Sequence, residues 1–151
     1  MVENGFKWLY MLFLGEFRVN FTGKGRIVIP KKIREALGKV QSFTLTKGFD
    51  RCLSGFRNSD WEKGTVELMS DSILEMKKTE MKRHLFSSAT TIEIDDQGRI
   101  VIPKNLLEYG ELDKNEVVLI GVGTYFEIWN QEKWQKYISD VSKNIKDFAK
   151  E

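Results

Sequence analysis

An internal repeat constrains the fold of this 151-residue chain more than any other feature of its sequence. The stretch GKGRIVIPKKIRE begins at position 23 and returns as DQGRIVIPKNLLE at position 96, an offset of 73 residues, with the letters GRIVIPK identical in both. At the same offset, apolar and aromatic residues match over about 45 positions without a gap. Two copies are too few for a solenoid, so we expect two halves that complete one another.

Each copy predicts the same succession of elements. Alternating residues indicate a half-buried strand, and the turn after it closes at Gly25 or Gly98, since glycine adopts positive φ without steric cost. The β-branched run that follows favours a return strand, and the proline after it suits the first turn of a helix. The predicted strands are 19–21, 27–29, 43–47 and 52–56, then 92–94, 100–102, 117–120 and 126–129, and the short helices are Lys31–Leu37 and 104–109.

Longer helices are predicted between the copies and after them. Residues 59–62 have the form of a capping box that opens a helix towards Met69. A second helix at 72–86 would carry Leu74, Met81 and Leu85 on one face. The C-terminal helix has an apolar stripe that packs on its own core or on another subunit. That stripe comprises Trp134, Tyr137, Ile138, Val141, Ile145 and Phe148.

The predicted fold class is α+β. One β-hairpin–helix unit cannot bury both faces of its strands, but two units can interleave into a closed pseudo-twofold β-barrel without exposed strand edges. The apolar run at 11–17 is expected to form a first buried strand of this barrel. The predicted division is an N-terminal extension at 1–10, a first unit at 11–61, a helical connector at 62–88, a second unit at 89–134 and a C-terminal helix at 135–151.

Composition excludes several classes of site. With Cys52 as the only cysteine and His84 as the only histidine, neither an intrachain disulfide nor a Cys/His zinc site is expected. The apolar run at 8–14 is far shorter than the ~20 residues of a membrane helix. We therefore expect a reduced, cytoplasmic protein with no metal, no cofactor and no membrane partner.

No group of residues in the sequence predicts catalysis, so the chain is not expected to be an enzyme. The adjacent aspartates at 95 and 96 are explained by turn formation, and Gly23-x-Gly25 lacks the spacing and the Lys-Ser/Thr of a phosphate-binding loop. His84 has no recognisable triad partner and is interpreted as structural. Cys52, in an apolar strand, is interpreted as inert core.

The nearly balanced charge of the chain is unevenly distributed. There are 24 Lys and Arg residues against 22 Asp and Glu residues, so net charge alone does not indicate a nucleic-acid partner. Residues 22–39 hold six cations and one carboxylate, a net +5, whereas residues 95–116 hold three cations and six carboxylates, a net −3. Positive charge is therefore concentrated around the first turn, as an electrostatic footprint on DNA requires.

Arg26 and Arg99 directly follow the turn glycines. A pseudo-twofold axis would put both on one side of the barrel, where an arginine fork can read guanine or clamp a phosphate. The alternative is a surface arginine paired with a nearby acid, such as Asp95 four residues before Arg99. On the next helix the first copy has Arg34 and the second has Leu107, so the two helices are not expected to contribute equally.

Several motifs together resemble the MraZ family of bacterial transcriptional regulators, within the wider AbrB/MazE-like group of swapped-hairpin proteins. The resemblance covers roughly 11–148 and is specific, because both units occur in order and at the right separation. The motifs are FLGEF at 13–17, GRIVIPKKIREALG at 25–38, LTKGFDRCL at 45–53, EIDDQGRIVIPKNL at 93–106 and VVLIGVGTYFEIWNQEKW at 117–134.

The resemblance implies a fold, a partner and an assembly. The fold would be a swapped-hairpin (double-split) barrel whose flanking helices join chains into a ring-shaped, octamer-like homo-oligomer. The partner would be double-stranded DNA at short direct repeats in the promoter of the division and cell-wall gene cluster, usually bound to repress it. Such a protein would be cytoplasmic and associated with the nucleoid.

The resemblance also implies DNA-contacting residues, through an Asp-x-x-x-Arg signature in each unit. The second unit keeps it as Asp95 and Arg99, whereas the first has Thr22 before Arg26, which predicts a turn with a less tightly oriented arginine. The predicted DNA-binding residues are Thr22, Lys24, Arg26, Lys31, Asp95, Gln97 and Arg99. Two alternatives remain, an antitoxin-like protein of the same fold and a protein-assembly module that acts through its helices.

Overall fold

Each copy contains two strands, a short helix and two further strands, in the order that the repeat predicts. The structure, a computed structural model, describes residues 11–70, 74–112 and 116–150, so the predicted extension at 1–10 and the predicted helix start at 72 lie outside the described residues. The described strands are β1 (Glu16–Asn20), β2 (Arg26–Val28), β3 (Ser42–Lys47), β4 (Leu53–Phe56), β5 (Thr90–Glu93), β6 (Arg99–Val101), β7 (Glu116–Gly121) and β8 (Phe126–Asn130). The described helices are α1 (Lys31–Leu37), α2 (Asn58–Met69), α3 (Met76–Phe86), α4 (Lys104–Gly110) and α5 (Gln131–Ala149).

Strands from the two repeat copies pair with one another. Six strands form an antiparallel sheet in the order β1-β7-β8-β4-β3-β5, and β2 pairs with β6 in a separate two-stranded ribbon. Exchanging the copies turns this order into its own reverse, as a pseudo-twofold relation requires. The fold is therefore α+β with interleaved copies, whereas closure into a barrel and assembly through the flanking helices stay predictions.

The return strand of each copy does not pair with the strand before it. The first turn closes, because the Thr22 N–H donates to the Arg26 carbonyl at 2.8 Å, and the second closes in the same way from Asp95 to Arg99 at 3.0 Å. Beyond the turns, however, β2 pairs with β6 and β1 pairs with β7. The two strands that flank each turn therefore do not form a simple hairpin, and each return strand pairs with the return strand of the other copy.

The two copies are not equivalent at a constant offset, contrary to the gapless alignment of their sequences. Thr44 pairs with Phe56 in the first copy. Val117 lies 73 positions after Thr44, yet it pairs with Asn130, which lies 74 positions after Phe56. β7 is therefore shifted by one residue relative to β3. The loops absorb the shift, since five residues connect β3 to β4 and four connect β7 to β8.

The main core lies between the ribbon, the sheet and the two short helices, and both copies contribute to it. Each fully buried large aliphatic or aromatic side chain contributes roughly 1.5–3 kcal/mol to folding. The largest such side chains are Phe13, Phe43, Phe126, Ile27, Ile29, Ile33, Leu45, Leu53, Ile100, Ile102, Leu106 and Leu112.

The single cysteine and the single histidine have structural surroundings. Cys52 is fully buried in a second cluster beside Trp129. Burial, together with the nearby Glu127 carboxylate, raises the pKa of its thiol, which agrees with the interpretation as an inert core residue. The His84 Nε2 lies 2.7 Å from the Gly48 carbonyl oxygen, so this ring is held by a backbone contact.

The first strand begins later than predicted. The expectation of one buried strand at 11–17 is wrong, because Gly15 takes a φ of +99° and β1 starts only after it. Within that segment Phe13 is fully buried, whereas Met11 and Leu14 are each 54% exposed. One aromatic anchor, rather than a continuous apolar run, attaches this segment to the core.

The predicted capping box at 59–62 is not formed. The helix begins at Asn58, with Arg57 in the cap position and no side-chain cap hydrogen bond. The Asn58 amide is used elsewhere, because its Oδ1 accepts from the Thr44 hydroxyl at 2.8 Å and its Nδ2 donates to the Ser42 hydroxyl at 3.1 Å. These bonds attach the start of α2 to β3, so tertiary contacts replace the local cap.

The second connector helix is shorter than predicted, since α3 begins at Met76. Leu74 precedes the helix and is 90% exposed, so it does not share a helical face with Met81 and Leu85 as expected. The helix is rich in polar residues, and none of its side chains is fully buried.

The C-terminal helix is formed, but it begins at Gln131, four residues before the predicted boundary at 135, and the Asn130 side chain caps it by accepting from the Lys133 N–H at 3.0 Å. Its apolar stripe is buried only at the start, where Trp134 packs on the second cluster, whereas Ile145 and Phe148 are each 53% exposed. No helix within the described ranges has the length and apolar character to cross a membrane. The acidic, histidine and cysteine side chains of these ranges form no group suited to a metal ion.

Two glycines, Gly121 in the sheet and Gly64 in a helix, provide a test of packing and its control. A Cβ at Gly121 would lie 2.2 Å from the backbone of Phe13, so we expect Gly121→Ala to destabilise the fold by about 1–3 kcal/mol through overpacking. Gly64, within α2, has nothing within 4 Å of an added Cβ, so Gly64→Ala should stabilise by about 0.5–1 kcal/mol. Urea denaturation followed by circular dichroism measures both. Wild-type stability in Gly121→Ala would contradict the close approach.

Candidate nucleic-acid interface

The two GRIV segments form the ribbon at the centre of the candidate site. β2 and β6 run antiparallel, with Ile27 directly opposite Ile100. These isoleucines are 0% and 2% exposed, so their face of the ribbon lies on the core. Because successive side chains of a strand point to opposite faces, their neighbours point outward. The ribbon therefore has one face for folding and one face available for contacts.

Two arginines and two valines form this outward face. Arg26 lies opposite Val101, and Val28 lies opposite Arg99. The arginines thus occupy one diagonal of a four-residue patch and the valines occupy the other, and diagonal neighbours on an antiparallel pair are roughly 7–8 Å apart. The pseudo-twofold axis runs through the middle of the patch, so it relates each arginine to the other.

Turn 1, residues 22–26, holds its arginine through a threonine. Gly25 takes a φ of +71°, which lets the chain reverse here without a steric penalty. The Arg26 Nε donates to the Thr22 hydroxyl oxygen and its Nη2 donates to the Thr22 carbonyl oxygen, both at 3.3 Å. Both acceptors are uncharged and both bonds are long, so no carboxylate of this turn offsets the positive charge of Arg26.

Turn 2, residues 95–99, holds its arginine through a carboxylate. One oxygen of Asp95 accepts from the backbone N–H groups of Gln97 at 2.9 Å and of Arg99 at 2.8 Å, and the other accepts from the Arg99 Nε at 2.7 Å. The pKa of Asp95 lies below its ordinary value of 3.8. The largest cause is the hydrogen bond from the backbone N–H of Arg99, and the Arg99 guanidinium and the Gln97 N–H lower the pKa further. Such charge-assisted bonds are shorter and stronger than neutral ones.

The two turns therefore share a backbone shape and differ in charge. Replacing the aspartate by Thr22 leaves a shorter polar side chain that can accept a hydrogen bond but cannot neutralise Arg26. This agrees with the expected difference in how tightly the two arginines are oriented. Arg99 also satisfies the alternative of a surface arginine paired with an acid, since Asp95 is its partner.

The turn residues border a common groove. Arg26, Asp95 and Arg99 all line a depression of about 360 Å³ that runs along β5 and β6. Residues from both copies thus meet at one surface, which the sequence predicted from the pseudo-twofold relation. A base edge or a sugar–phosphate group is of a size that such a depression can hold.

The remaining predicted site residues are at different distances from this patch. Lys24 and Gln97 are exposed at the tips of turn 1 and turn 2. Lys31 opens α1 with an exposed side chain, and its Nζ lies 4.0 Å from a Glu35 carboxylate oxygen. Lys31 lines a separate depression of about 520 Å³ and does not border the groove of the two arginines.

Arg34 is a candidate that sequence reasoning left out of the site. Its guanidinium lies against the backbone of turn 2, where a Cβ added to Gly98 would come within 2.4 Å of Nη1. The symmetry-related Leu107 lies against Gly25 of turn 1. Each short helix therefore supports the turn of the other copy. The predicted interleaving of the copies could have indicated this contact, because it places Arg34 of the basic first unit beside the turn of the acidic second unit.

Comparisons with known proteins agree across both copies. Residues 12–84 and 85–151 each match the family model described as "MraZ protein, putative antitoxin-like". The chain is 39% identical over 138 residues to the transcriptional regulator MraZ of Desulforamulus reducens, across 91% of this chain and 95% of that relative. It is 40% identical over 138 residues to the transcriptional regulator MraZ of Halothermothrix orenii, across 91% of this chain and 94% of that relative.

The carboxylate of turn 2 can be tested by titration. Because a lowered pKa belongs to the folded state, the contribution of Asp95 to stability is present above its unfolded pKa and is lost as the pH falls through its folded pKa. We expect an NMR titration to place the Asp95 pKa below 3.8. In Arg99→Ala that pKa should rise only part of the way, because the two backbone donors remain. An unchanged pKa in Arg99→Ala would contradict the role given to the guanidinium.

Proposed function

The chain belongs to the MraZ family, and on this premise we propose that it regulates transcription by binding double-stranded DNA through the outward face of the β2–β6 ribbon. One observation carries the proposal, namely a two-stranded ribbon with Arg26 and Arg99 on the same exposed diagonal. The major groove of B-DNA admits a two-stranded β-ribbon, and a bidentate arginine on guanine is the commonest specific contact there. The relatives are named as transcriptional regulators, which supports a role in transcription.

The two arginines would contribute differently to recognition. Arg99 uses its Nε to bind Asp95, which leaves the two Nη groups as a fixed fork for the O6 and N7 atoms of guanine. Arg26 is held only by neutral acceptors, so it has more freedom and its charge is not offset by a carboxylate of its turn. We therefore assign base reading to both arginines, and attraction to the phosphates in addition to Arg26.

Cations around the ribbon would hold the DNA backbone. Lys24 at the tip of turn 1 and Arg34 beside turn 2 are exposed on either side of the patch. Phosphate contacts of this kind fix the register of a protein on the duplex but carry no sequence information. Because each phosphate contact releases condensed counterions, the affinity should fall as salt rises.

We further propose that the targets are short direct repeats in the promoter of the division and cell-wall gene cluster, which the protein represses. One ribbon covers few base pairs, so a ring-shaped homo-oligomer that presents several ribbons to spaced repeats would gain affinity through effective concentration. Exposed apolar side chains support assembly through the helices. These are Val66 and Met69 on α2, Met76 on α3, and Ile145 and Phe148 on α5. Such a protein would act in the cytoplasm, at the nucleoid.

Fluorescence anisotropy with duplex DNA from upstream of this protein's own gene tests the proposed contact. We expect selective binding over a shuffled duplex, weaker at higher salt. Arg26→Ala and Arg99→Ala should each lose about 1–3 kcal/mol of discrimination, because each removes one bidentate contact. Arg83→Ala is the matched control, since this arginine is exposed on α3 outside the groove.

The outcomes separate DNA binding from protein binding. Equal losses in Arg83→Ala would mean that net charge, and not the ribbon, determines affinity. Equal or absent binding to both duplexes would move the function to protein partners, as in the antitoxin-like and assembly alternatives.

The assembly can be tested with single substitutions on α5. Ile145→Asp puts a charge on the exposed apolar stripe and should lower the molar mass measured by light scattering after gel filtration. Lys143→Asp places the same carboxylate on the polar side of the helix and should leave the molar mass unchanged. An unchanged mass in Ile145→Asp would exclude this stripe from the subunit contact.

A further inference from the structure

Val28 and Val101 are exposed apolar side chains at the centre of the arginine patch. They are 39% and 59% exposed, although their neighbours in the same strands, Ile27 and Ile100, are almost fully buried. The register puts the two valines on the diagonal between the arginines, on either side of the pseudo-twofold axis. The proposed contacts of Arg26 and Arg99 with guanine leave these two methyl-bearing side chains without a role.

We propose that Val28 and Val101 read thymine through its C5-methyl group, which makes them specificity determinants of the same interface. This inference rests on the proposed function. In the major groove, thymine is distinguished from the other bases by this methyl group, and apolar side chains contact it. Since each arginine lies opposite a valine, a ribbon in the groove would bring a guanine contact and a methyl contact next to each other. The preferred site would then combine guanine with nearby thymine in each half.

The shape of valine suits this task. Its branched Cβ restricts χ1, so little side-chain freedom is lost when the methyl groups pack against a base. Two apolar groups between two guanidinium groups also exclude water from the middle of the patch, which favours both kinds of contact. Removing one buried methyl group from such a contact should weaken binding roughly two- to five-fold.

Replacing thymine by uracil in the upstream duplex tests this inference, because uracil lacks the methyl group and keeps the same base-pairing edge. Anisotropy titrations would compare the thymine and uracil duplexes, first fully substituted and then one position at a time. We expect the wild type to bind the uracil duplex several-fold more weakly. In Val28→Ala and Val101→Ala the penalty at one methyl position each should shrink, because the shorter side chain covers less of the methyl group, and in the double variant it should shrink at both positions.

Val122→Ala is the matched control, because Val122 is also 39% exposed but lies in the loop between β7 and β8, away from the ribbon. It should keep the wild-type penalty for uracil. Circular dichroism and an unchanged salt dependence of binding would verify that each variant is folded and still contacts phosphates. The single variants, which keep one valine, provide the test if the double variant does not fold.

Two results would overturn the inference without affecting the proposed function. One is selective, arginine-dependent binding in which the wild type does not distinguish thymine from uracil. The other is a uracil penalty that persists unchanged in both valine variants. Absence of selective DNA binding by the wild type would instead overturn the proposed function and this inference with it, and would indicate a protein partner for the patch.

Discussion

The antiparallel pairing of β2 with β6 is the constraint on which the rest of the molecule depends. It buries Ile27 against Ile100 and thereby joins the two repeat copies at their identical segments. The pairing also extends to the turns, because the Ile29 N–H donates to the Gly98 carbonyl and the Ile102 N–H donates to the Gly25 carbonyl, both at 2.8 Å. Each turn is therefore held by the strand of the other copy. A substitution that weakens the ribbon would disturb the core and both turns together.

The same pairing creates an interface with twofold shape and unequal charge. Both copies contribute an arginine to the outward face, but only Arg99 has a carboxylate partner in its turn. Arg34 partly offsets this difference, since it crosses from the basic unit to lie beside turn 2. The net charges counted along the sequence therefore overstate the difference between the two turns. In the folded chain, each end of the patch has an exposed cation beside it, Lys24 at turn 1 and Arg34 at turn 2.

Most of the architecture was predictable, because the repeat places β-branched runs, glycines and prolines where local physics leaves few choices. Interleaving followed from the inability of one unit to bury its strands. The one-residue shift of β7 was not predictable, because the two copies align in sequence across this region without a gap. The missing capping box has a similar cause, since the Asn58 side chain binds residues of β3 that are distant in sequence.

Within the site, the turn residues were predictable from residue type and spacing. The contacts between residues of different copies were not, because they depend on how the two copies fold together. Arg26, Asp95 and Arg99 were found from their position after or within the turn, and they line one groove. The position of Arg34 beside turn 2 does not follow from its place in the first copy, because only the interleaving of the copies brings the two together. In the sequence, Val28 and Val101 are ordinary β-branched strand residues. Only the register of β2 with β6 places them on the diagonal between the two arginines.

The most direct test of the central claim is protection of the upstream duplex from methylation by dimethyl sulfate. This reagent attacks guanine N7 in the major groove and adenine N3 in the minor groove, so it reports which groove the protein occupies. The ribbon account predicts protection of guanine N7 in the wild type, and its loss at different guanines in Arg26→Ala and Arg99→Ala. Protection confined to adenine N3, or guanine protection that survives both substitutions, would contradict recognition through the β2–β6 ribbon.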